Sequence, residues 1–228
     1  MFPINYELLE QAKQNLSEYK NIYWIIGGAC SGKSTICRMI AKATNILLYN
    51  MDDHIFGTYM PRYTENRHPA SKAWFSAKTG LDWILSLSVS NFESLNRAAN
   101  AEYLDLFAQD IKQYSPEKRL LVDGGISYPA ILAQTFPVEH VVCLYIPPHE
   151  SRIIWETVIE RKPMQEMILG LPDGDKKWDR FLCYDKHITE SCLNESQAEN
   201  IRVFSRDKQL SAQQLCQNVL DYFGCKKW

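Results

Sequence analysis

The sequence predicts an α/β fold in which a parallel sheet is covered by helices on both faces. Three observations carry that prediction. Five short apolar runs recur along the chain: "NIYWIIGG", "ILLYNMDDH", "KRLLVDGG", "HVVCLYIPP" and "IRVFSRD". They are continuous rather than alternating, as strands buried on both faces are. Stretches of helical period separate them, the pattern that builds parallel pairs through crossover helices.

The elements follow in order. "NYELLEQAKQNLSEYK" spaces its apolar residues for an amphipathic first helix. "NIYWIIGG" is a buried strand ending in glycine, and "GKSTICRMIAKATN" starts a helix with Ile36, Met39, Ile40 and Ala43 on one face. "ILLYNMDDH" is read as a second strand ending in two acids, and "KRLLVDGG" as a third ending in an acid and two glycines. Two long segments interrupt the alternation. Residues 55–118 hold no convincing strand and read as several helices. Residues 149–200 open with a helix, "ESRIIWETVIERKPMQEMI", break at "GLPDGDKKWD" and resume at "RFLCYDKHITESCLNESQ". Both leave the sheet after the C-terminal end of a strand, the edge where open parallel sheets bind ligands.

Composition limits the function classes. The 228 residues suffice for one sizeable domain, spanning 1–228, with a buried core. A formal net charge of −2 gives no basic surface to coat a polyanion, which argues against a nucleic-acid partner. No run is long enough to span a membrane, and the N-terminal stretch has no basic region followed by an apolar one. The seven cysteines are odd in number and form no C-x-x-C pair, so scattered thiols in the cytoplasm are expected. The composition does not indicate an oligomeric state.

The stretch "GGACSGKST" concentrates the chemistry. Gly27, Gly28, Ala29, Cys30, Ser31, Gly32, Lys33, Ser34 and Thr35 fill the spacing G-x-x-x-x-G-K-[ST], after a strand and at the start of a helix. Glycines let successive N–H groups turn inward, and the helix N-terminus adds free donors and a positive dipole end. Lys33 can then reach the β/γ-phosphates and Ser34 can ligate Mg²⁺. On this motif the chain resembles the P-loop NTPases, and within them the small-molecule and nucleotide kinases. "GGACSGKS" is similar to the "GxxxSGKS" of nucleoside, gluconate and antibiotic kinases. "MDDHIFG" and "LLVDGGI" stand where such kinases carry a substrate-side aspartate and a third strand ending in an acid and glycine.

The resemblance implies a three-layer α/β/α fold on a five-stranded parallel sheet. It also implies ATP with Mg²⁺, and phosphoryl transfer to a small-molecule acceptor. It makes 55–118 a helical substrate-binding insertion and 149–200 a lid region. Asp52 and Asp53 are the candidates for the acceptor hydroxyl, with Asp53 favoured by the likeness of "DHIF"; the alternative is an acid pair capping the next helix. Asp123 serves metal or substrate, or is a turn aspartate, and Gly124 admits substrate close to the backbone. Arg161, before "KP", is the expected lid cation, with a solvated surface charge as the alternative. Arg206 and Asp207 stand where related kinases place a loop against the base. Arg62, Arg67 and Trp74 offer charge and stacking for the acceptor. Two other functions stay open: a nucleotide-dependent switch without a small-molecule acceptor, and a polynucleotide-end kinase. No guanine-reading N-K-x-D motif is present.

Overall fold

In chain order, the computed structural model contains α1 (Tyr6–Leu16), β1 (Ile22–Ile26), α2 (Lys33–Thr44), β2 (Leu47–Asn50), α3 (Met51–Asp53), α4 (Pro69–Ser76), α5 (Gly80–Ser86) and α6 (Val89–Asp110). There follow β3 (Leu120–Asp123), α7 (Pro129–Ala133), β4 (Val141–Tyr145), α8 (Pro148–Thr157), α9 (Lys162–Leu169), α10 (Gly174–Ala198), β5 (Arg202–Ser205) and α11 (Ala212–Tyr222). Residues 2–206 and 210–224 are described, so Asp207 lies outside the described residues.

The five expected strands form one sheet in the order β2-β3-β1-β4-β5, with every pairing parallel. From β1 the chain moves to β2 on one side, returns to β3 beside β1, and then crosses to β4 on the other side. That reversal places a crevice outside the C-terminal ends of β1 and β3, where such sheets take ligands. Both faces are covered. Ile22, Trp24 and Ile26 of β1 pack into a core shared with α1, α6 and α10, while Ile25 joins α2 and α11 on the opposite face. Covering on both sides explains why the strands read as continuous apolar runs.

Two readings change. β2 ends at Asn50, and Asp52 and Asp53 belong to α3, whose N-cap is Asn50: its side chain accepts from the Asp52 N–H at 3.1 Å. The acid pair therefore ends no strand and caps no helix. The helix continues into a π-helical turn, His54–Thr58, a form that interrupts helices at functional sites. The stretch read as one helix from Glu150 also divides. α8 stops at Thr157, a 3₁₀ turn covers Ile159–Arg161, and α9 begins at Lys162 with Pro163 in its first turn. α10 then runs unbroken for 25 residues and absorbs most of the segment expected as a break. It buries Trp178, Leu182, Thr189, Cys192 and Ser196, so it belongs to the covering layer.

Candidate active site

Residues 27–32 turn β1 into α2, and the local chemistry explains each glycine that matters. Gly27 has φ +144°, and a Cβ there would stand 2.1 Å from the carbonyl oxygen of Leu144 on β4. A Cβ on Gly28 would meet Thr189 Oγ1 of α10 at 2.2 Å. The loop thus lies flat against β4 and α10, held by Ser31 Oγ donating to the Gly28 carbonyl at 2.9 Å. Cys30 takes a left-handed conformation, φ 63°, that side chains rarely adopt. Gly32, the N-cap of α2, offers no side chain to its free N–H groups, and the first turn carries no acid. The donors and the positive dipole end are therefore left for an anion. Lys33 Nζ lies back across the loop and donates to the Gly28 carbonyl at 2.8 Å, while Ser34 and Thr35 are exposed.

This is a three-layer α/β/α fold with a glycine-built turn at its sheet edge. The strand, glycine cradle and helix sit on the switch-point crevice of a five-stranded parallel sheet.

The second wall of the crevice comes from α3 and the end of β3. Trp24 Nε1 donates to the Gly124 carbonyl at 2.8 Å, and the Gly124 N–H to Ile25 at 3.0 Å, which pins the strand end. The space a side chain on Gly124 would enter is bounded by Lys33 Cε at 3.5 Å and both Asp52 carboxylate oxygens at 3.9 Å. Gly124 at φ 66° leaves that space open. Gly125 admits the closest approach of α3, since a Cβ there would meet Met51 Cβ at 2.3 Å. Asp123 is buried at the end of β3. The Asp52 carboxyl is pushed above the ordinary carboxylate range by burial; Lys33 counteracts this, while Asp123 and Asp53 add to it. Solvent nevertheless reaches Asp52. Both acids are exposed, and Asp52 is the one whose carboxylate is brought near Lys33 and Gly124.

The third wall is built by α8, α10 and the chain after β5. Arg206 Nη1 donates to the Cys30 carbonyl at 2.9 Å, and its N–H to Tyr145 at 2.7 Å, so it braces the cradle from the side. Arg161 lies over the Trp155 ring at 4.7 Å. Burial raises the Cys30 thiol pKa, and the Arg161 charge is the largest influence opposing that rise. The Arg161 charge is thus felt at the loop. Arg152 turns away to Glu156 at 2.9 Å and bounds a cavity of about 560 Å³ between α8 and α10.

Asp185 was missed by sequence reasoning. It accepts from Ser151 Oγ at 2.8 Å; burial raises its pKa, and the charges of Lys33 and Arg161 pull it back. A signal existed. Trp178, Leu182, Asp185, Thr189, Cys192 and Ser196 recur at intervals of four and three, so polar residues occupy positions on the core stripe of α10.

The acceptor residues expected on the insertion are placed otherwise. Arg67 grips Asp105 with two bonds of 2.8 and 2.6 Å and reaches Gln11 at 2.9 Å. Arg62 pairs with Asp110 at 2.5 Å and lies over Tyr59 at 5.2 Å. Both arginines hold α6 to the segment that follows α3. Trp74 stacks on Phe75 at 5.2 Å and meets Phe56 edge-on at 5.8 Å.

No protein-family model matches the chain, and no curated protein does. Among solved structures it is similar to a shikimate kinase from Acinetobacter baumannii in complex with shikimate. Identity is 16%, coverage is 94% of this chain and 98% of that one, and the TM-score is 0.46. A likeness so distant assigns no chemistry, which has to be read from this chain's own residues. Among the described residues no helix is long and apolar enough to cross a membrane.

Proposed function

We propose that the protein is an ATP-dependent kinase that transfers the γ-phosphoryl group to a hydroxyl of a small molecule. The observation that supports this best is the shared space at Gly124, where the phosphate-loop lysine and the Asp52 carboxylate bound one opening. A carboxylate there can orient an attacking hydroxyl, whether an acceptor's or water's, so the dependence of turnover on a small molecule decides between kinase and switch.

Phosphoryl transfer asks the protein mainly for positioning, charge neutralisation and exclusion of water. The N–H groups from Gly27 to Thr35 cradle the phosphates, and Lys33 leaves the Gly28 carbonyl to neutralise their charge. Asp52 orients the acceptor hydroxyl and accepts its proton as the oxygen bonds to phosphorus. Arg161 adds positive charge from the segment between α8 and α9. Arg206 keeps the cradle in shape through Cys30.

The residues fit a magnesium ion. Ser34 supplies an exposed hydroxyl and Asp123 a carboxylate, hard oxygen donors few enough to leave positions for phosphate oxygens and water. When bound, the ion neutralises charge on the phosphates.

The test is ADP release from ATP over a panel of hydroxylated compounds. Turnover that depends on one of them, and is absent in Lys33→Ala, supports the kinase. ATP hydrolysis that no small molecule accelerates, but a protein partner does, would replace it with a switch.

A further inference from the structure

The described cysteines are free thiols, and two of them touch. Cys143 on β4 and Cys192 on α10 bring their Sγ atoms to 3.7 Å, both buried. The pair is unequal. The Cys143 thiol is held below its ordinary value, first by the hydrogen bond from Cys192, against the effect of burial. The same bond raises Cys192 well above that value, and burial adds to the rise. Cys143 is therefore the better nucleophile, and Cys192 keeps its proton.

The two thiols lie beside the supports of the glycine turn. Leu144, next to Cys143, sets its carbonyl oxygen against Gly27, where a Cβ would stand 2.1 Å away. Thr189, three residues before Cys192 and buried with it on α10, sets its hydroxyl against Gly28, where a Cβ would stand 2.2 Å away. The turn thus rests on the same two elements that carry the sulfurs, with no slack at either contact. The Lys33 charge reaches both sulfurs.

We propose that Cys143 and Cys192 are an oxidative modification site, where a hydroperoxide forms a disulfide that draws α10 toward β4 and weakens nucleotide binding at the loop. The nucleotide half rests on the kinase reading above. Cys143 attacks a peroxide oxygen, breaking the O–O bond, and becomes a sulfenic acid as water or an alcohol leaves. The Cys192 sulfur then displaces the hydroxyl, forming the S–S bond and releasing water. Two thiols lose two protons and two electrons, and the peroxide takes both. The sulfurs must close from 3.7 Å to about 2.05 Å. Side chains in a close-packed core do not rotate freely, so part of that approach comes from α10. Both thiols are buried, so the oxidant enters when α10 opens locally from the sheet.

Two measurements test this. In the first, the folded protein is treated with hydrogen peroxide, quenched with catalase and unfolded with iodoacetamide. Its peptides are then mapped by mass spectrometry with and without dithiothreitol. The peptides carrying Cys143 and Cys192 are expected joined, and released by dithiothreitol. Both cysteines alkylated while the exposed Cys183 is oxidised overturns the proposal. So does a sulfinic acid at either position without the joined peptide. The second is ATP binding with magnesium, followed by calorimetry. Oxidation is expected to raise Kd by roughly tenfold or more, dithiothreitol to restore it, and Cys192→Ala to keep its affinity under peroxide. Cys143→Ala serves where that variant does not fold. An unchanged Kd in the cross-linked protein overturns the coupling. Equal weakening of the alanine variant does so too, and assigns the loss to another thiol such as Cys30. Reduced protein that binds no ATP overturns the kinase reading and the coupling together, while the peptide map still decides the disulfide.

Discussion

The crevice at the sheet edge and the helical insertion use their polar and charged residues in opposite ways. At the sheet edge the charges are left open: Ser34 and Thr35 are exposed, Lys33 rests on a carbonyl it can leave, and Asp52 carries a destabilised charge. In the insertion Arg62 and Arg67 are closed into pairs with Asp110 and Asp105. Asp105 is fully buried; burial works against its charge, but hydrogen bonds from His68 and Arg67 outweigh this and hold its carboxyl at about 2. Residues kept in unfavourable states mark chemistry, and residues brought to satisfaction mark architecture.

The sharpest way to break this contrast is at Lys33. Lys33→Ala should fold normally and lose roughly a hundredfold or more in turnover, because its charge is needed where the phosphates develop theirs. Circular dichroism and the ADP assay check it. A folded variant with unchanged turnover would remove the open-site half of the comparison.

Asp52 against Asp105 comes next, because their carboxyls shift in opposite directions. Asp52→Asn should collapse kcat yet leave the melting temperature level or higher at neutral pH. A raised carboxyl favours its neutral form in the fold. Its contribution to stability is complete below the ordinary carboxylate value and fades as pH rises through its own. The Asn variant keeps a neutral group throughout, so its advantage should vanish in acid. Asp105→Asn should do the reverse, destabilising by about 3 kcal/mol by leaving Arg67 without its buried partner. Its depressed carboxyl stabilises the fold above the unfolded value near 4 and loses that contribution toward about 2. Wild type and Asp105→Asn should therefore converge in stability over that interval. Thermal unfolding of both variants from pH 2 to 7 checks the pair.

The same contrast shows how much was legible in the sequence. The turn from β1 into α2 was, because its backbone conformation is one that only glycine permits at Gly27. The five strands were, because continuous apolar runs record burial on both faces. The roles of Arg62 and Arg67 were not. A cation before a helix reads alike whether it awaits a ligand or a partner 48 or 38 residues away. The surroundings of Asp52 and Asp53 were not legible either: "ILLYNMDDH" reads as a strand running into the acids, whereas Asn50 caps a helix that carries both.

The smallest effect is expected at Arg161, and it tests where the open site ends. The segment from Val158 to Asp173 is the part of the proposed lid that lies outside long helices, and its outer surface carries Ile159, Met164 and Met167 exposed. Arg161 leans on Trp155 from there and casts its charge onto Cys30 and Asp185. If this segment closes when both substrates bind, Arg161 contributes only in the closed state. Arg161→Ala should then lower kcat roughly tenfold, with ATP affinity nearly unchanged. Amides of 158–173 should gain protection from hydrogen exchange when nucleotide and acceptor are present together, whereas those of α10 around Thr189, packed on Gly28, should be protected throughout. Equal protection of both segments in the free protein would place Arg161 in the architecture, beside Arg62 and Arg67, and restrict the open site to the cradle and Asp52.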